Sequence, residues 1–152
     1  MSKIRIIFIG KKSEISAEEK ELLTKIRYRS AAEICPVSPA EMSDSTTRKK
    51  HEAKILLQKI PSSAPIILLD ESGKNMDSQE FSDLLWQKYS AEKIIYFIIG
   101  GAFGVDGIIK EKAWNIISFG AMTWTKSLAR KMLLEQIYRA GEIYTGTPFH
   151  KT

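Results

Sequence analysis

Short apolar runs rich in β-branched residues recur along this chain of 152 residues. They are Ile4-Arg5-Ile6-Ile7-Phe8-Ile9, Ile66-Ile67-Leu68-Leu69 and Ile94-Ile95-Tyr96-Phe97-Ile98-Ile99. None alternates apolar with polar residues, as a strand with one wet face would. Continuous apolar strands are buried on both faces, which requires helices on both sides of a largely parallel sheet. The stretches between the runs carry helical patterns. The chain is therefore expected to be α/β, with a mainly parallel sheet and right-handed crossovers, organised as one domain over residues 1–152.

Taken in order, the first run stops at Gly10, and Ser16 with Glu19 has the spacing of a capping box. A helix is expected from there to about Arg29. Ile34-Cys35-Pro36-Val37 is a weak strand whose proline points to a sheet edge or an early end. Pro39 to Thr47 is polar and small and reads as an exposed loop. Arg48 to Ile60 reads as a basic amphipathic helix ended by Pro61. The run Arg48-Lys49-Lys50-His51 at its start would oppose the helix dipole. It is either a phosphate-contacting patch or a solvated helix start, and the sequence leaves both open. Ile66 to Leu69 is expected to be a short strand broken by Asp70-Glu71-Ser72-Gly73-Lys74. A helix to about Tyr89 then follows a cap at Asp77 or Ser78. From Lys126 to Ala140 a helical stretch carries apolar residues around almost its whole circumference. Such a helix should be buried all round, with one side on the sheet and the other on a second subunit, and Glu135 and Arg139 are spaced to pair.

The formal net charge of +5 arises in residues 1–65, which hold 13 Lys and Arg against 8 Asp and Glu, the remainder being balanced. An anionic partner such as RNA would suit that half, but a charge of this modest size is better accounted for by solvated helix faces. The single cysteine, Cys35, cannot form an intrachain disulfide, and no apolar run approaches the roughly 18 residues of a membrane span. A cytoplasmic protein is expected, with no membrane partner. The histidines His51 and His150 lie far apart, and no metal site is expected. Gly100-Gly101-Ala102-Phe103-Gly104 follows a strand, where glycines let peptide groups approach a ligand. It is neither a Walker A loop nor a dinucleotide fingerprint, and no nucleophile elbow is present. Chemistry that positions a reactive cofactor fits better than metal or covalent catalysis.

Several motifs occur in a recognisable order. These are Leu68-Leu69-Asp70-Glu71-Ser72-Gly73-Lys74, Phe97-Ile98-Ile99-Gly100-Gly101-Ala102-Phe103-Gly104, Ala121-Met122-Thr123-Trp124, Leu128-Ala129-Arg130, Leu133-Leu134-Glu135-Gln136-Ile137-Tyr138-Arg139-Ala140 and Pro148-Phe149-His150-Lys151. Together they resemble the RlmH family, bacterial SPOUT-class methyltransferases that modify N3 of a pseudouridine in 23S ribosomal RNA. The resemblance spans the chain and is most specific from Leu133 to Lys151. It implies an α/β knot with a C-terminal trefoil knot and S-adenosylmethionine as cofactor. Leu69, Gly100, Phe119, Gly120, Ala121, Met122, Thr123 and Trp124 would wrap that cofactor, largely through backbone groups. It also implies a homodimer whose RNA cleft is completed by both subunits, and assembled ribosomes as substrate. Arg139, His150 and Lys151 become candidates for holding the base and its phosphates. His150 is the tail residue whose ordinary pKa suits proton transfer near neutrality. The chain departs from the family pattern at Thr125-Lys126, where Pro-His is usual, at Phe149 in place of Tyr, and at the bulky Trp124. The first departure motivates a competing class, a non-catalytic RNA-binding protein that keeps the knot.

Overall fold

The computed structural model describes residues 4–26, 31–89, 94–100 and 104–146. Five strands, β1 (Ile4–Ile9), β2 (Ala32–Val37), β3 (Ile66–Asn75), β4 (Ile95–Ile99) and β5 (Asn115–Ser118), alternate with helices α1 (Ala17–Ile26), α2 (Ser45–Gln58), α3 (Ser78–Lys88), α4 (Gly107–Lys112) and α5 (Lys126–Thr145). The strands form one sheet in the order β2-β1-β4-β3-β5, and every pairing is parallel. Of the two readings Pro36 allowed, the edge holds: β2 is the edge strand beside β1, and Pro36 lies within it.

The apolar runs are buried on both faces as their composition requires. On β1, Ile4, Ile6 and Phe8 enter the core under α1, α3 and α5, while Ile7 and Ile9 enter the core under α2 and α4. Likewise Phe97 of β4 meets Phe81, Leu133 and Leu134, whereas Ile98 meets Leu56 and Ile109. Burying each such side chain contributes roughly 1.5–3 kcal/mol, so these central strands carry most of the driving force.

Helix starts follow local chemistry. Ser16 and Glu19 form the expected reciprocal box, with Ser16 N–H donating to the Glu19 carboxylate at 2.8 Å and Glu19 N–H donating to Ser16 Oγ at 3.2 Å. Of the two candidates for α3, Asp77 is the cap, accepting from Glu80 N–H at 2.8 Å. The second helix begins three residues before Arg48, because Asp44 accepts from both the N–H and the hydroxyl of Thr47 at 2.8 Å. Ser45-Thr46-Thr47 is therefore helical rather than part of a loop. The basic run falls in the second turn, away from the positive end of the dipole, and Arg48 donates back to the Met42 carbonyl through Nε at 2.8 Å.

The third strand also departs from its pattern. It does not end at Leu69 but resumes pairing with β5 after an irregularity, since Leu69 and Lys74 both register with Ile117. Gly73 makes this possible. A Cβ there would lie 2.6 Å from the Ile117 carbonyl carbon and 2.7 Å from the Ile116 carbonyl, both backbone atoms that cannot give way.

The last helix extends to Thr145, beyond the expected end at Ala140. Its apolar circumference is explained in part within the chain, because α1 and α3 flank it. Ser82 Oγ and Trp86 Nε1 of α3 donate to the Ala140 carbonyl at 3.4 and 3.1 Å. Leu133, Leu134, Ile137 and Ala140 are buried, whereas Leu128 and Glu135 stay exposed in the single chain. Among these apolar positions lies Arg130, 1% exposed. Its Nε donates to Glu19 Oε1 at 2.5 Å, its Nη2 donates to the Glu14 carbonyl at 3.0 Å, and its guanidinium sits 4.1 Å from the Phe8 ring centroid. Glu19 is likewise fully buried.

Burial alone would raise the Glu19 pKa, but the bonds from Arg130 and Ser16 outweigh it and hold this carboxyl below the usual range. A depressed folded-state pKa contributes stability that is present above the unfolded value of about 4.3 and is lost as pH falls through the folded one. Two outcomes are expected. Glu19→Ala, leaving Arg130 buried and unpaired, should lower the unfolding free energy by about 3–5 kcal/mol in urea titrations at pH 7. Glu19→Gln should flatten the acid side of the stability profile, and an unchanged acid slope would contradict the assignment. Separately, Gly73→Ala should destabilise by about 1–3 kcal/mol through overpacking against β5, which thermal unfolding would register. An unchanged midpoint would show that β5 shifts freely.

Candidate functional site at the carboxyl edge of the sheet

In open parallel sheets ligands bind beyond the carboxyl ends of the strands, where peptide groups are no longer consumed by the ladder. Here β4, β3 and β5 are consecutive neighbours; Gly100 and residues 119–124 follow the carboxyl ends of β4 and β5, and Leu69 is the point at which β3 between them breaks register. Leu69 registers with Ile99 on one side and Ile117 on the other, and Gly100 follows Ile99 directly. Phe119 to Trp124 continue from the end of β5. The structure thus brings Leu69, Gly100 and the 119–124 stretch to one edge. Gly101, Ala102 and Phe103, together with His150 and Lys151, lie outside the described residues.

The segment after β5 is shaped by its own contacts. Ser118 Oγ donates to the Gly120 carbonyl at 2.8 Å and accepts from Gly120 N–H at 3.1 Å. That tight reversal puts Gly120 at φ 109°, a conformation side-chain-bearing residues rarely adopt. Ala121, Met122 and Thr123 are exposed beyond the end of β5. Trp124 folds back, its indole N–H donating to the Phe119 carbonyl at 3.4 Å.

The two residues that depart from the family pattern anchor the far end of this segment. Thr125 caps α5, its Oγ1 accepting from Leu128 N–H at 3.2 Å. Lys126 Nζ donates to the Ile9 carbonyl at 2.6 Å and lies 3.9 Å from Glu14. Since Ile9 ends β1, the chain from β5 crosses the ends of β3 and β4 to reach it. Three strand spacings amount to about 14 Å, and seven residues reach up to about 23 Å. Slack therefore remains for the 119–124 loop to bow outward.

A second fixed point is Asp70. Its carboxylate accepts from Ser72 N–H at 3.0 Å and from the Ser72 hydroxyl, and Lys110 of α4 lies 3.5 Å away. Partial burial pushes its pKa up, but the Ser72 bonds and Lys110 prevail and keep it ionised below the usual carboxylate range.

Arg139 is not part of this cluster of loops. It lies about 20 Å along α5 from Lys126, at 1.5 Å per residue. It sits one turn from Gln136, which accepts from Ser78 of α3 at 2.7 Å, and its guanidinium is 4.0 Å from Glu135. Sequence reading missed the roles of Lys126, Arg130 and Asp70. For Arg130 a signal existed, namely a cation in register with Leu134, Ile137 and Gly141 on the buried arc of a helix. Among the described residues, no three His, Cys, Asp or Glu side chains gather into a metal-binding group. Also among the described residues, no helix is long and apolar enough to cross a membrane.

A ribosomal RNA large subunit methyltransferase H from Rhodopseudomonas palustris strain BisA53 is 34% identical, over 98% of this chain and 99% of that protein. The protein of the same name from Dinoroseobacter shibae is 43% identical over 76% of each chain. The fold resembles that of a probable methyltransferase from Bordetella pertussis Tohama I, at TM-score 0.59 and 13% identity over 92% of this chain and 95% of the other. It also resembles a probable methylase family protein from Haemophilus influenzae Rd KW20, at TM-score 0.60 and 12% identity over 95% of this chain and 67% of the other. The family model described as predicted SPOUT methyltransferase matches residues 2–150, and the chain belongs to the SPOUT methyltransferase family.

Proposed function

We propose that this chain methylates N3 of a pseudouridine in 23S ribosomal RNA, using S-adenosylmethionine. The observation that carries the reading is the convergence of Gly100 and residues 119–124, just past the carboxyl ends of β4 and β5, beside Leu69, where the intervening strand β3 breaks register. The relatives named ribosomal RNA large subunit methyltransferase H support the RNA substrate. The edge suits the cofactor chemically. The exposed residues 121–123 offer backbone groups that can meet a purine, the half-buried Leu69 offers apolar contact, and nothing lies within 4 Å of where a Cβ on Gly120 would project.

When bound, S-adenosylmethionine supplies a methyl group made electrophilic by its positively charged sulfur. The chain's own residues then have three tasks. The loops orient the donor, and Lys126 and Arg130 fix the frame on which the third loop hangs. Arg139, His150 and Lys151 hold the acceptor base and its phosphates, and solvent or His150 takes the N3 proton. Because Arg139 stands well along α5 from the loops of its own chain, it serves the site of a partner subunit. Exposed Met122 (73%), Trp124 (42%) and Leu128 (45%) support a homodimer that covers them. The trefoil knot belongs to the same reading. It is supported by the crossing of 119–125 over the strand ends and by the extension of β3 beside it. Assembled ribosomes in the cytoplasm are the substrate we infer.

Calorimetry should find one S-adenosylmethionine site per chain, and labelled methyl groups should pass to 23S RNA in large ribosomal subunits. A protein that binds RNA but takes up no cofactor would instead be the non-catalytic member of the family. His150→Ala should slow methyl transfer by about a hundredfold while leaving cofactor affinity near its original value. Equal loss of both would refute the role of His150.

A further inference from the structure

Cations are distributed unevenly between the two helical layers. On the layer of α1, α3 and α5, most are neutralised: Lys25 by Glu21, Lys131 by Glu18, Lys74 by Glu80, Lys126 by Glu14 and Arg130 by Glu19. On α2 the reverse holds. Lys50, His51 and Lys54 are exposed and share one side of the helix, Lys50 and Lys54 being stacked four residues apart. Among the described residues, none of the three makes an ion pair. The only acid within the helix, Glu52, is buried and turned inward, accepting from Ala40 N–H at 3.2 Å. Asp44 acts on Lys50 through space, but its carboxylate is already bonded twice by Thr47. Lys50 and Lys54 therefore form a solvated stripe without ion pairs.

That stripe leads to the methyl-transfer edge. Lys49, the neighbour of Lys50, is half-buried and lines a shallow cleft with Ile9, Gly104, Val105 and Asp106, at the carboxyl ends of β1 and β4. The acids of this cleft are engaged elsewhere, Glu52 by Ala40 and Asp106 by Ile108 N–H at 3.1 Å. Lys11 and Lys12, exposed just after β1, extend the positive surface along the same edge. The apolar surface proposed for the partner subunit lies on α5 and its preceding loop, in the opposite layer, so dimerisation leaves α2 open.

We infer that the Lys50–Lys54 face of α2, continued by Lys49, Lys11 and Lys12, is the surface on which the sugar–phosphate backbone of the substrate RNA lies while its target base reaches the carboxyl edge. This rests on the proposed function for its choice of RNA, and it adds a docking site that the catalytic reading does not require. Contacts of this kind are made by uncompensated lysines, release counterions, and weaken steeply with salt.

The test is filter binding of the whole protein to large ribosomal subunits between 50 and 200 mM salt. Wild type, Lys50→Glu/Lys54→Glu, Lys50→Ala/Lys54→Ala and the control Lys20→Glu on α1 would be compared. Both double variants should bind at least about tenfold more weakly, and the alanine pair should lower the log–log salt slope by about two. Both should raise KM for subunits with kcat and S-adenosylmethionine affinity unchanged. Lys20→Glu should match wild type. Unaltered affinity and salt slope in both double variants, or an equal loss in Lys20→Glu, would overturn the inference. If wild type binds subunits through this face but transfers no methyl group, the docking surface stands and the proposed reaction fails.

Discussion

The buried pair of Arg130 and Glu19 ties the two ends of this molecule together. The Arg130 guanidinium lies against Phe8 of the inner strand β1 and is held by Glu19, which in turn closes the start of α1 through Ser16. Two helices and a strand are joined by one buried ion pair. An arrangement of this kind is costly to desolvate and tolerates little movement, because either partner left alone would be a buried charge. Its consequence is topological. With α5 held over β1, and Lys126 fixed to the Ile9 carbonyl, the chain leaving β5 at the sheet edge must cross the ends of β3 and β4. The loop that makes the crossing is the one that completes the candidate site.

Much of this was legible in the residues. The unalternating apolar runs implied strands covered on both sides, and Pro36 implied an edge or an early end for β2. The Ser16–Glu19 and Asp77 caps were readable because capping is local chemistry. What escaped was non-local. Whether Asp70 to Lys74 ended a strand or bowed out of it depended on Gly73 meeting the backbone of a strand more than 40 residues away. The start of α2 was placed late because Ser, Thr and Asp suit loops and caps equally, and Asp44 resolved the choice for a cap. The six-residue α4 is too short to show a periodic face.

For the site, the loop positions were legible only through the family motif, since glycines after strands are common and carry little by themselves. Their convergence is a property of strand order, and a linear pattern does not reveal that β4 and β5 end on either side of the break in β3. The departure at Thr125-Lys126 looked from the sequence like a lost functional pair. In the fold, threonine supplies an ordinary helix cap, and lysine uses its length to reach β1. On α2 lysines of the same length make no ion pair among the described residues, and the RNA contact inferred above would draw on them.

The central claim is that the ends of β4 and β5 and the break in β3 form one cofactor site. Hydrogen exchange of the backbone amides, with and without S-adenosylmethionine, tests it most directly. The account predicts slowed exchange in the segments containing Leu69 to Asn75, Gly100 and Phe119 to Thr125 together, with α2 and β2 unchanged. Slowed exchange confined to a single segment, or centred on α2, would contradict it.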